Sequence, residues 1–151
     1  MRGVKTPLNL KQINTMKDLH TNFNKVQALA PAAITDDTAQ VCTVVDNQNY
    51  DAVEYVINIG VLADADATFT VLLEDSDDNV TFAAVADDFL LGTEALASFT
   101  FADDSQIKSL GYNGSKRYTR MTITPANNTG SAVFGVVAIQ GNALHAPVTN
   151  N

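Results

Sequence analysis

Tryptophan is absent and cysteine occurs once, at Cys42. A single thiol forms no internal disulfide, so nothing in the composition calls for an oxidising compartment. Cys42 lies in the apolar run 41–45, where it is expected to pack as a small hydrophobe. No window approaches the roughly 18 apolar residues of a membrane span. The opening residues, MRGVKTPLNLKQ, hold no continuous apolar stretch of the signal-peptide kind. The expectation is a soluble protein folded in a cytoplasm, with no membrane partner. Chemistry-bearing motifs are equally scarce. The two histidines, His20 and His145, stand far apart with no HExxH spacing, which argues against a zinc site. No serine sits in a GxSxG elbow, and Gly111, Gly114 and Gly130 read as turn glycines, not as a phosphate loop. Adjacent acids (36–37, 77–78, 87–88, 103–104) fall in turns, where they are normally solvated surface. The expectation is therefore no enzyme and no cofactor.

What is present is a rhythm of strands. Residues 53–60 (VEYVINIG) place Val53, Tyr55, Ile57 and Ile59 on one face, and residues 68–75 (TFTVLLED) alternate Phe69, Val71 and Leu73 with Thr68, Thr70 and Glu74. Period-two alternation in β-branched and aromatic residues marks half-buried antiparallel strands, here read as a hairpin joined by 61–67. Further strands are expected at 40–45, 81–85, 95–101, 107–111, 116–124 and 132–140. The last is apolar on both faces, as befits a central strand. Turn signals separate them, as in the runs 46–49, 74–79 and 125–130. About eight strands in 151 residues predict one all-β domain, an antiparallel sandwich or jelly roll over 36–142, with 143–151 as a loose tail.

Residues 1–35 differ. They carry five cations against one acid, whereas residues 36–151 carry four against sixteen; the total is −8. Leu10, Ile13, Met16 or Lys17, His20, Phe23, Gln27 and Ala30 nearly follow helical spacing, ended by Pro31. The expectation is an extended or partly helical arm over 1–35 that orders by packing on its own body or on a partner. A basic arm on an acidic body points to an acidic docking surface, and the acidic body itself is a poor nucleic-acid binder.

Two constellations stand out. Asp75, Asp77 and Asn79 match the first three ligand positions of an EF-hand loop, but Val80 stands at its glycine and Ala86 at its bidentate glutamate. A structural turn is favoured over a weak cation site. The run 111–120 (GYNGSKRYTR) is the one basic cluster of the body, read either as a solvated loop balancing nearby acids or as a contact surface for an acidic partner.

The runs TFTVLLEDSDDNVTFAAVADDFLLGTE and IKSLGYNGSKRYTRMTITPANNTGSAVFGVVAIQG resemble small head decoration, or cement, proteins of tailed bacteriophages. The similarity spans residues 53–141. It implies a jelly roll or related sandwich on the outer surface of a phage head, bridging neighbouring subunits of the major capsid protein. It also implies a homo-oligomer, a trimer ahead of a dimer. No catalytic residue carries over. The contact residues expected on this basis are Lys5, Leu8, Leu10, Lys11, Ile13, Lys17, Phe23 and Lys25 of the arm, with Lys116 and Arg117 of the body. The competing class is a carbohydrate-binding sandwich of a phage tail or host-surface adhesion protein.

Overall fold

The computed structural model describes residues 18–149. Eleven strands form two antiparallel sheets: β1 (Asn24–Ile34), β2 (Gln40–Val41), β3 (Val45–Asp46), β4 (Tyr50–Leu62), β5 (Thr68–Ser76), β6 (Ala83–Ala84), β7 (Leu90–Leu91), β8 (Phe99–Thr100), β9 (Ile107–Tyr112), β10 (Tyr118–Ala126) and β11 (Ala132–Ala143). One sheet has the order β1-β11-β4-β9-β7; the other runs β2-β10-β5-β6, with β3 also on β10 and β8 also on β5. This is the all-β sandwich expected from the alternation.

The core lies between the sheets. Val53, Tyr55, Ile57 and Ile59 of β4 meet Phe69, Val71 and Leu73 of β5, all buried. Phe69 stacks on Phe99 at 4.7 Å between centroids, and Phe134 of the opposite sheet meets both edge-on, at 5.6 and 5.4 Å. These geometries suit the ring quadrupoles, and burying each side chain contributes about 1.5–3 kcal/mol.

The hairpin expected of β4 and β5 does not form. The two strands belong to different sheets, and residues 63–67 carry the chain across. Asp64 fixes that crossing, its carboxylate accepting from the Thr129 N–H and hydroxyl at 2.9 Å each. Alternation shows that each strand has one apolar face; it does not show that the two faces are turned toward each other.

Residues 24–34, expected within a helical or extended arm, form strand β1 against β11. Val26 and Ala28 pack inward, while Lys25 and Gln27 lie opposite Ile139 and Val137 on the outer face. Register shifts at Gln27/Leu29 and Leu29/Ala32 break the two-residue period and explain why it was not legible. Pro31 is tolerated because β1 is an edge strand, and its ring covers Gly135, where a Cβ would lie only 2.9 Å from it. At the other terminus, β11 continues to Ala143, and buried Val148 donates its N–H to the Thr21 carbonyl at 2.8 Å. The tail expected to be loose is thus tied down as far as Val148.

The strand expected at 95–101 is instead one helical turn, α1 (Glu94–Ala97), followed by β8. Thr93 caps the turn by accepting the Leu96 N–H at 3.1 Å. The turn lies along the edge of β5 and replaces a strand there. Glu94 Oε1 accepts from Leu73 N at 2.7 Å and Ser98 Oγ from Val71 N at 2.9 Å. Two side chains thus satisfy edge N–H groups that a ladder would otherwise take.

Candidate functional site

The β3–β4 and β9–β10 connections meet at one end of the sandwich and enclose an open cleft of about 480 Å³. Gln48, Asn49, Tyr50 and Asp51 line one side; Tyr112, Ser115, Lys116 and Arg117 line the other.

Its floor is built on a buried polar chain. Tyr55 Oη and Thr119 Oγ1 lie 2.9 Å apart, and Asn47 Nδ2 donates to the same Thr119 oxygen at 3.2 Å. Gln140 Nε2 donates to Asn47 Oδ1 at 3.1 Å and to the Asp46 carbonyl at 2.8 Å, while its Oε1 accepts from Asn24 Nδ2 at 2.8 Å. Five side chains from β1, β4, β10, β11 and the β3–β4 connection are locked together. In a medium that penalises unpaired polar groups, such a chain rigidifies what it touches.

The far wall is held by two ion pairs. Lys116 Nζ reaches Asp75 Oδ1 at 2.7 Å, and the Tyr112 hydroxyl donates to Asp75 Oδ2 at 3.0 Å while accepting the Lys116 N–H at 3.1 Å. Burial pushes the Tyr112 hydroxyl up to about 12, and the Asp75 hydrogen bond holds the Lys116 ammonium above its ordinary value. Arg117 grips Asp46 with two parallel bonds, Nε to Oδ1 at 2.9 Å and Nη2 to Oδ2 at 2.7 Å, and also donates to Gln48 Oε1 at 2.9 Å. The Arg117 guanidinium depresses the Asp46 carboxyl and stands 4.9 Å from the Tyr118 ring centroid.

Lys116 and Arg117, the expected body contacts, are therefore brought together at the cleft, but both charges are matched by carboxylates of the same chain. Lys108 and Arg120 are likewise paired, with Asp103 at 2.7 Å and Glu74 at 2.9 Å. The cluster is therefore charge-compensated within the chain. The expected arm contacts Lys5, Leu8, Leu10, Lys11, Ile13 and Lys17 lie outside the described residues. Lys25 sits on β1 with its ammonium on the His20 carbonyl at 3.1 Å. Phe23 lines a small apolar hollow with Ala52, Leu91, Ile139 and Gly141.

The weak cation candidate does not assemble. Asp75 is buried and engaged by Lys116 and Tyr112, whereas Asp77 and Asn79 are exposed. The turn is organised by Asp78, whose Oδ1 accepts from Ser76 Oγ, Val80 N and Thr81 N at 2.8, 2.9 and 2.7 Å. Among the described residues no group of three His, Cys, Asp or Glu side chains is placed to hold a metal ion.

A second surface was not foreseen. On the outer face of the five-stranded sheet, Val56, Leu91, Ile107, Val133, Val137 and Ile139 share one side, interrupted by Glu54, Asn58 and Ser109 and flanked by Lys25 and Gln27. Ile107 is 68 % exposed, Leu91 60 % and Val137 39 %. Sequence offered one signal of it, the two-faced apolar character of 132–140.

No protein-family model matches the chain, and no curated protein matches it. Among solved structures, the crystal structure of PBSX exported protein XepA aligns with a TM-score of 0.53 at 17 % identity, covering 85 % of this chain. The shared feature is the fold. The chain spans about two-fifths of XepA, since the match covers 40 % of that protein.

Proposed function

We propose that the chain is a structural protein of a phage particle that binds the outside of the head and bridges neighbouring capsid subunits. The observation that carries this reading is the outer face of the five-stranded sheet, where Leu91, Ile107 and Val137 expose apolar side chains on one side, with Glu54, Asn58 and Ser109 between them. Exposed apolar side chains gathered on one face among polar ones are a common feature of protein–protein contact surfaces. Three further features support it. The fold is shared with PBSX exported protein XepA; the runs in 53–141 resemble head decoration proteins; and the cationic N-terminal residues Lys5, Lys11 and Lys17 offer a second point of attachment to an acidic shell. Attachment at many sites of one shell multiplies modest contacts through effective concentration. In this reading the partners are the major capsid protein and further copies of the chain, as a homotrimer ahead of a homodimer.

The test is co-sedimentation with emptied, expanded phage heads, comparing the natural chain with an Ile107→Glu/Val137→Glu double variant. Both positions are exposed, so the variant is expected to fold with an unchanged circular dichroism spectrum while head binding drops at least about tenfold. Undiminished binding by the double variant would remove the face from the proposal.

A further inference from the structure

We infer that the cleft between Gln48–Asp51 and Ser115–Arg117 is a binding site for a neutral saccharide, separate from the apolar sheet face. Its volume of about 480 Å³ falls within the roughly 300–1,000 Å³ of small-ligand clefts. Its electrostatics decide the ligand class. Both cations of the wall already hold a carboxylate, Lys116 on Asp75 and Arg117 on Asp46, while Asp51 is exposed at the rim. A phosphate, sulfate or nucleic-acid backbone would find no uncompensated positive charge here and would face the Asp51 carboxylate. A polyhydroxyl ligand needs the opposite: fixed planar hydrogen-bonding groups beside an aromatic ring, with little net charge. Gln48 supplies an amide whose oxygen is held by Arg117, leaving its NH₂ as donor; Asn49 and Ser115 add further polar groups; Tyr50 supplies the ring. Asp51 is an acceptor for paired hydroxyls.

The site is also rigid before any ligand arrives. Asn47, at its floor, is fixed by Thr119 and Gln140, and Arg117 is fixed bidentately by Asp46. Rigid polar groups bind without a large ordering penalty, which matters for a ligand as strongly hydrated as a sugar.

The experiment is a glycan array probed with the full chain, carrying neutral, sialylated and sulfated saccharides, followed by titration of the array hits. Tyrosine fluorescence gives the readout, because no tryptophan masks it and Tyr50 and Tyr112 line the cleft. Binding to neutral glycans is expected. Gln48→Ala and Asp51→Ala should each weaken it about tenfold, the loss of one well-aligned hydrogen bond, with melting temperature and head co-sedimentation unchanged. The Ile107→Glu/Val137→Glu variant should bind sugar at full strength, so this inference and the capsid reading fail separately. Absence of any hit at millimolar saccharide, hits confined to anionic glycans, or hits indifferent to both cleft variants would each overturn it.

Discussion

Gln140 donates its side-chain N–H to the side-chain oxygen of Asn47 at 3.1 Å, although 93 residues separate them in the chain. That bond ties β11 of one sheet to the connection that delivers β4 and floors the cleft. Gln140 is 1 % exposed, and its other contacts, to the Asp46 carbonyl and Asn24, leave its amide fully engaged.

Gln140→Ala leaves the Asn47 oxygen, the Asp46 carbonyl and the Asn24 amide without their partner. The Asn47 oxygen is buried, and orphaning it costs about 1–3 kcal/mol; the Asp46 carbonyl and Asn24 amide are more accessible to water and add less. Urea unfolding should show a loss of about 2–4 kcal/mol at unchanged m-value. A variant as stable as the natural chain would mean that the polar chain is decorative.

Gly114 is required by close approach. A Cβ built there comes within 2.6 Å of a Tyr112 ring carbon and closer still to its hydroxyl. In Gly114→Ala the ring must move away from Asp75 and the Lys116 N–H, or the 113–117 loop must shift. Destabilisation of about 1–3 kcal/mol is expected, together with a distorted cleft wall. Thermal unfolding and a crystal structure of the variant check this; an undisturbed Tyr112 would contradict it.

Cys42 is 3 % exposed, and burial pushes its thiol up to about 12. A thiol kept protonated and covered does not attack disulfides. Titration with an aromatic disulfide reagent at pH 8 should give reaction at least about a hundredfold slower than in urea-unfolded chain. Fast native reaction would place Cys42 outside the core.

Stability should fall with acid. Asp46 is held below its ordinary value first by the Arg117 hydrogen bond, Asp64 by the Thr129 N–H, Asp78 by the Thr81 and Val80 N–H groups, and Asp103 by Lys108. Because the folded values are depressed, this stabilisation is complete above the unfolded carboxylate value near ~4 and disappears as pH drops through the folded values. Melting temperature should be nearly level from about pH 5 to 7 and decline below about pH 4. Arg117→Ala should make that decline shallower, because Asp46 without its partner titrates closer to its unfolded value and has less stabilisation to lose in acid; an equally steep decline in both proteins would disprove the assignment to Asp46.

Much of the fold was legible because β4, β5 and β10 bury one face and alternate cleanly, while β11 is apolar on both faces as a central strand is. Three errors share a physical origin in local ambiguity. The bulged β1 loses its period at Leu29. The stretch 94–97 is one helical turn, too short to display a helical repeat, and buried Ala97 and Phe99 mimic a strand around exposed Leu96. Adjacent β4 and β5 look like a hairpin because alternation carries no information about sheet membership. The basic residues of the cleft were visible as a cluster, but their partners Asp75 and Asp46 are 41 and 71 residues away, so their neutralisation emerges only from the fold. The outer apolar face is drawn from four strands of the same sheet, β4, β7, β9 and β11, and could not be assembled from any one of them.

The most direct measurement is saturation co-sedimentation of the natural chain with emptied, expanded phage heads, with analytical ultracentrifugation of the free protein alongside. The account predicts saturable binding at a fixed ratio to capsid subunits. Heads that sediment without the chain, at concentrations well above those of other capsid proteins in the assay, would contradict it.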